Sequence, residues 1–215
     1  NAKQKYEEGV LEEYGDFQIG VSTEDGSYFT SEEIKKIKAL DQITGYTDGF
    51  YRELEEDQDI YALGVKDDAI NRSRYKYSFP VKGSKVVINE YLARKYQVGQ
   101  GDTFQIGKKT FEVGEILRND SYTDQRRCMV IMERDALHKF LGDSKGKSNY
   151  MLLQCPDEET SGLSSRLEKM SENFSVFTVK EDETVKKLFK IFQAMIQILS
   201  GVVVLISGMF IVSNF

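Results

Sequence analysis

The sequence predicts an α+β fold: two β-α-β units separated by a strand-rich insertion, then a helix that runs into a membrane-spanning segment. Three observations carry this reading. Strand-like runs flank an amphipathic helix twice, near residues 17–46 and again over 150–179. Between them, short apolar runs alternate with turn signals. Finally, the 25 residues from Ile191 to Phe215 contain no charge, and every Lys, Arg, Asp and Glu lies at or before Lys190. A hydrocarbon core of ~30 Å needs roughly 20 mostly apolar residues at helical rise. A buried core helix is the other reading of this stretch, but such helices are shorter and carry a polar stripe.

The chain has 215 residues, 30% charged and 40% hydrophobic, with a net charge of −6. Setting the tail aside, roughly 190 residues remain, enough for one large domain or two small ones with a real core. The whole negative charge falls on this polar part, which makes it a poor partner for nucleic acid, since phosphate contacts need a basic face. Asn1 is not preceded by a Met and opens no signal-peptide pattern, so the chain reads as a fragment of a longer membrane protein. Cys128 and Cys155 allow one intramolecular pair. Two separate thiols in strand-like runs are the preferred reading, because sequence carries no distance.

Taken in order, residues 1–15 place Tyr6, Val10 and Tyr14 at helical spacing and predict an exposed helix. Residues 16–57 contain the first β-α-β unit. Its strand is Phe17–Val21, its helix begins with the capping box Thr30-Ser31-Glu32-Glu33 and carries Ile34, Ile37 and Leu40, and its second strand lies around Ile43–Tyr46. Residues 150–180 repeat the order: strand Tyr150–Cys155, a turn and helix start at Pro156–Thr160, Leu163, Leu167, Met170 and Phe174 on one helical stripe, and strand Phe174–Val179. Two such units suggest a ferredoxin-like split repeat. The insertion, residues 58–149, predicts strands at Ile60–Val65 and Lys85–Ile88, and a short helix capped by Asn89. A hairpin follows, from Thr103–Ile106 to Thr110–Leu117, with Gly114 marking a bulge. Residues 118–127 read as a polar loop. Residues 181–197 continue as a helix with Glu181, Asp182 and Glu183 at its start, and 198–215 span the membrane.

No catalytic residue and no cofactor site emerge. Gly142–Ser148 resembles a phosphate loop but is one residue short and follows a helical run rather than a strand. His138 is the sole histidine, which leaves the usual zinc ligand sets and a histidine-based hydrolase unassembled. The carboxylate pairs Asp67-Asp68 and Glu55-Glu56-Asp57 read as solvated faces. In Arg72-Ser73-Arg74-Tyr75-Lys76-Tyr77 an extended backbone would put Arg72, Arg74 and Lys76 on one face. Two readings stand there: an edge strand blunted by charge, or a contact for an anionic surface. Val185, Leu188, Phe189, Phe192 and Met195 keep one apolar stripe that enters the tail with no Pro, and no Gly before Gly201. This predicts a continuous rod able to pass displacement between the polar domain and the bilayer; a simple anchor is the plainer alternative.

Three stretches, Val86–Ala93, Val98–Gly107 and Phe111–Ile116, together with the tail Leu199–Phe215, resemble the large extracytoplasmic domain and second transmembrane helix of FtsX/MacB-like ABC transporter permeases. The resemblance implies a porter-like α/β lobe built from residues 16–57 and 150–180, with residues 58–149 as an inserted β-rich lobe. It implies a bacterial cell-membrane location with residues 1–190 outside, and a first transmembrane helix before Asn1. It further implies a separate cytosolic ATPase subunit, a second permease copy or half, contact with membrane lipid, and an accessory protein or peptide outside the cell. Lys186, Lys187 and Lys190 run against this orientation, since positive residues favour the cytoplasmic side, but long translocated domains override that bias. A membrane-anchored receptor or regulatory domain without transport is the competing function; a hydrophobic helix before Asn1 and two more after Phe215 would favour the permease. If the inserted lobe faces outward, partner contacts fall on residues 66–80 and 118–127, at Arg72, Arg74, Tyr75, Tyr77, Tyr122, Arg126 and Arg127, residue types that concentrate binding energy.

Overall fold

The computed structural model describes residues 2–54, 60–118, 127–143, 145–188 and 190–195. It divides into two units, residues 1–177 and 178–215. The first unit begins with α1 (Ala2–Tyr14), β1 (Ile19–Thr23), α2 (Ser31–Lys38), β2 (Gly45–Glu53) and β3 (Ile60–Val65). It continues with α3 (Ala69–Tyr75), β4 (Lys85–Asn89), α4 (Glu90–Tyr96), β5 (Thr103–Ile106) and β6 (Lys109–Leu117). It closes with β7 (Cys128–Glu133), α5 (Arg134–Leu141), β8 (Tyr150–Gln154), α6 (Thr160–Glu168) and β9 (Phe174–Thr178).

The helix starts follow local chemistry. Thr30 Oγ1 accepts from the Glu33 N–H at 3.1 Å, and the Glu33 carboxylate accepts from the Thr30 N–H at 2.8 Å, which completes the expected capping box of α2. Asn89 Oδ1 accepts from the Leu92 N–H at 3.0 Å and starts α4. Asp68 Oδ1 accepts from the Asn71 N–H at 3.0 Å and starts α3, which ends at Lys76 in the left-handed region, φ +60°. This helix replaces the extended segment expected at residues 72–77. The physical reason is the cap at Asp68: once it nucleates a turn, Arg72 and Arg74 lie about 200° apart around the helix axis and cannot share a face.

The nine strands among the described residues form one sheet, in the order β5-β6-β4-β7-β3-β2-β8-β1-β9. β8 sits between β1 and β2, and β1 sits between β8 and β9, so each β-α-β unit has its strands split by a strand of the other. The strands of residues 60–133 extend this same sheet through the antiparallel pairing of β3 with β2. β7 then joins β3 in parallel, β4 joins β7 antiparallel, β6 joins β4 in parallel, and β5 closes the edge as a hairpin with β6. β2 starts later and runs further than the Ile43–Tyr46 expectation, because its polar residues Thr47 and Asp48 are buried against partners rather than left in a turn.

The bulge expected at Gly114 is present: Val86 pairs with Val113, but Val87 pairs with Glu115, which leaves Gly114 as the extra residue. A Cβ on Gly114 would overlap the ring of Phe79. One core lies around Phe50, Ile60, Ile88, Leu92, Phe111, Val130 and Leu137. A second lies around Ile19, Val21, Ile37, Met151, Leu153, Leu163 and Leu167. His138, fully buried on α5, belongs beside the first: its ring stacks on Phe50 at 4.0 Å and 19°, and Nε2 donates to the Lys147 carbonyl at 2.8 Å. This is a structural histidine, neutral because burial lowers its pKa.

In the second unit, residues 179–188 and 190–195 are helical. Val185, Leu188, Ile191, Phe192 and Met195 are all more than half exposed and line one apolar depression. Lys186 pairs with Asp182 at 3.1 Å and Lys187 with Glu183 at 3.8 Å, both one turn apart. Among the described residues, no helix is long and apolar enough to cross a membrane. The expected span, residues 198–215, and the stripe residue Phe189 lie outside the described residues.

Two outcomes follow from this packing. Gly114→Ala forces the Phe79 ring aside and lowers stability by about 1–3 kcal/mol, and Phe79→Ala in the same chain recovers part of that loss; denaturant titration of the two single variants and the double variant measures it. His138 holds a proton less readily in the folded than in the unfolded state. Its stabilisation is therefore full above the unfolded histidine pKa of about 6.5 and is lost as pH falls below that value. Melting temperature should drop between about pH 7 and pH 5.5, and the drop should flatten in His138→Gln, because no other histidine exists to titrate there.

Candidate functional site

Strand register decides which side chains share a face. Met151 pairs with Asp48, Phe50 with Gly64, and Ala62 with Val130, so the residues of both cores lie on one side of the sheet, beneath α2, α4, α5 and α6. The alternate residues point the other way. On that second face a cavity of about 270 Å³ opens across both halves of the sheet, from Gly20, Leu152 and Phe177 to Tyr61, Leu63 and Met129. α3 and the segment after α1 contribute Arg74, Tyr75 and Phe17 to it.

Four tyrosines give the groove its character. Tyr51 stacks on Tyr61 at 5.5 Å and 22°, and on Tyr150 at 6.4 Å and 20°. Tyr75 meets Tyr150 edge-on at 6.3 Å and 75°. Burial raises the phenol pKa of Tyr61, Tyr75 and Tyr150, so all three stay protonated at neutral pH and can donate. Among the described residues, the charged side chains lining the groove are Arg74 and Arg127. Arg74 donates to the Tyr14 carbonyl at 3.1 Å and lies 5.1 Å from the Phe17 ring centroid. Arg127 pairs with Glu53 at 2.8 Å, but both side chains are more than half exposed, and such pairs contribute little.

α3 is held in place by a buried polar network. Asn71 Nδ2 donates to Thr47 Oγ1 and to the Lys66 carbonyl, each at 2.9 Å, and its Oδ1 accepts from the Tyr150 hydroxyl at 3.1 Å. Thr47 in turn donates to Asp68, the cap of α3. Beside it, Asp48 pairs with Arg134 at 3.0 Å and with Lys66.

Of the residues expected to meet a partner, Arg74, Tyr75 and Arg127 come together along this groove. Arg72 does not: it makes a bidentate pair with Asp67 at 2.8 and 2.7 Å. Tyr77 is buried beside it, with the Arg72 guanidinium 5.9 Å from its ring. Tyr122 and Arg126 lie outside the described residues. Sequence reasoning missed Tyr51, Tyr61, Tyr150 and Gly20. The available signal was parity, since each tyrosine alternates with an aliphatic or aromatic core residue; which strands lie side by side was not available. Among the described residues no cluster of His, Cys, Asp or Glu is arranged to hold a metal ion.

No protein-family model matches the chain, and no curated protein sequence does. Solved structures do. The periplasmic region of MacB from Actinobacillus actinomycetemcomitans superposes with a TM-score of 0.55 at 10% identity, covering 85% of this chain and 98% of that one. The extracellular domain of the noncanonic ABC-type transporter YknZ from Gram-positive bacteria aligns with a TM-score of 0.49 at 15% identity, covering 75% of this chain and 99% of that one. The resemblance read from the residues thus holds at the level of the fold: this chain is built like the periplasmic region of MacB.

Proposed function

We propose that the chain is the extracytoplasmic domain of an ABC transporter permease subunit, joined by residues 181–197 to a transmembrane helix at 198–215. The observation that carries this reading is the shared fold with the MacB periplasmic region over 85% of the chain, despite 10% identity. In this reading the β-α-β strands form the porter-like lobe, and residues 58–149 form the inserted lobe that faces outward. A separate cytosolic subunit hydrolyses ATP, and a second permease copy or half completes the assembly. Closure of that ATPase displaces the helical residues 179–188 and 190–195, whose exposed apolar stripe suits packing against a neighbouring helix or lipid. The outer domain answers by changing shape, in export, in lipoprotein or peptide handling, or in envelope signalling.

Orientation is tested by Lys186→Cys in the complete protein. A membrane-impermeant maleimide should label it in intact cells, and labelling only after the cells are opened would overturn the extracytoplasmic placement. Coupling is tested by inserting two glycines after Lys190. Each costs about 1 kcal/mol in a helix interior, and two extra residues turn the stripe by about 200°. Folding and membrane insertion should survive, while stimulation of the ATPase by the outer domain's ligand, or transport itself, should be lost. Unchanged activity in that insertion would reduce the helix to an anchor.

A further inference from the structure

We propose that the outer edge of β9 and the tyrosine groove beside it form one site for an extended peptide, which adds to the sheet alongside β9 and lays a large aromatic side chain into the groove. β9 is the last strand of the sheet among the described residues, so its backbone N–H and C=O groups that point away from β1 have no strand partner there. Natural edge strands are blunted by charged residues, Pro or bulges. Phe174-Ser175-Val176-Phe177-Thr178 carries no charge and no Pro. Such an edge selects a polypeptide, because only another extended backbone matches its alternating donors and acceptors.

The groove supplies the anchor pocket. Ser22 of β1 and Ser175 of β9 both line it. The Glu24 N–H donates to the Asn173 carbonyl at 2.9 Å, which sets the end of β1 against the start of β9; two residues along each strand from that bond, Ser22 lies beside Ser175. Ser22 in turn pairs with Tyr150 of β8. Strands lie about 4.8 Å apart, so a side chain opposite the exposed Ser175 passes over two small residues on its way to the Tyr150 ring. A cavity of about 150 Å³ accepts one benzene ring, and this groove of about 270 Å³ has room for an indole between the flat faces of Tyr51 and Tyr150.

Charge marks the flank of the peptide. Arg127 is engaged with Glu53 and Arg74 with the Tyr14 carbonyl, so neither sets the sign. Residues 22–28 and 170–177 carry Glu24, Asp25 and Glu172 and no Lys or Arg, and all three carboxylates are exposed. Asn173 Nδ2 donates to Asp25 at 3.0 Å and ties this acidic turn to the start of β9. A Lys or Arg two or three residues from the aromatic anchor is complementary to it. A second copy of this chain is the competing strand, but β9 on β9 pairs five residues a side, against roughly 20–30 in a stable interface. So short an edge suits capture of a peptide rather than a dimer. The proposal goes beyond permease membership and does not depend on it.

The experiment is fluorescence anisotropy of the labelled peptide Lys-Thr-Val-Trp-Val-Thr-Lys, blocked at both ends, titrated with the whole 215-residue chain in detergent against a blank of empty micelles. A Lys lies on each side of the Trp, so one faces Glu172 in either strand direction. Binding should saturate above the blank, and Trp replaced by Ala in the peptide should weaken it by about tenfold. Two further peptides carry N-methyl groups on one or the other alternating set of backbone nitrogens. One set should abolish binding and the other leave it intact, because only one faces the edge. Ser175→Phe, which fills the approach at an exposed position, should remove binding at unchanged melting temperature. Glu172→Lys should weaken it by about threefold at low salt. No saturable binding, equal effects of the two N-methylated sets, or undiminished binding to Ser175→Phe would overturn the proposal. So would a dimer of the chain alone, seen by sedimentation, that dissociates in Ser175→Phe, since the edge would then belong to a second copy. If Ser175→Phe fails to fold, the two N-methylated peptides decide on the unaltered chain.

Discussion

The buried amide of Asn71 is the joint on which the arrangement of this domain depends. It is fully buried, and its hydrogen bonds reach β2 through Thr47, the end of β3 through the Lys66 carbonyl, and β8 through the Tyr150 hydroxyl. Its own N–H is capped by Asp68. One side chain therefore fixes α3 to three strands of the sheet. Removing it would strand several buried polar groups, each at a cost of about 1–3 kcal/mol. The position of Arg74 and Tyr75 along the groove, three and four residues further on, follows from that anchoring.

Two other buried asparagines act in the same way. Asn89 caps α4, and its Oδ1 also accepts from the Met129 N–H at 3.0 Å while Nδ2 donates to the Arg127 carbonyl at 2.8 Å, which sets the start of β7 against β4. Asn149 accepts from the Tyr51 N–H and donates to the Tyr51 carbonyl, both at 3.0 Å, so β2 is held where the chain enters β8. The amide suits this work because it offers donors and an acceptor without a charge to desolvate. The Asp48–Arg134 pair is the charged counterpart at the top of α5. It is nearly dry, and its stability rests on the partners staying together rather than on net attraction.

These ties bear on function. One sheet runs unbroken through both halves of the first unit, and the groove lies across its strands. Polar joints placed where β2 and β3 meet make that region specific in geometry rather than merely apolar. The groove draws residues from β1, β8 and β9 as well as from β2, β3 and β7, so it exists only because the two halves share one sheet.

Much of the local structure was legible in the sequence. The Thr30–Glu33 capping box, the Asn89 cap, the hairpin around Gly107 and the Gly114 bulge all follow from interactions within a few residues, or from the lack of a Cβ. Both β-α-β units were legible for the same reason, since period-two and helical patterns are local. The segment at Arg72–Tyr77 misled because alternation of basic and aromatic residues fits a strand, while the Asp68 cap that makes it a helix is a single side chain upstream. The groove could not be read in advance. Tyr51, Tyr61, Tyr75 and Tyr150 lie up to 99 residues apart and meet only through strand register. Sequence alone determined most of the elements, α3 and the bounds of β2 excepted; tertiary structure decided which faces meet, because strand order and register are set by long-range burial and by polar contacts such as Asn71 to Tyr150, for which no local pattern exists.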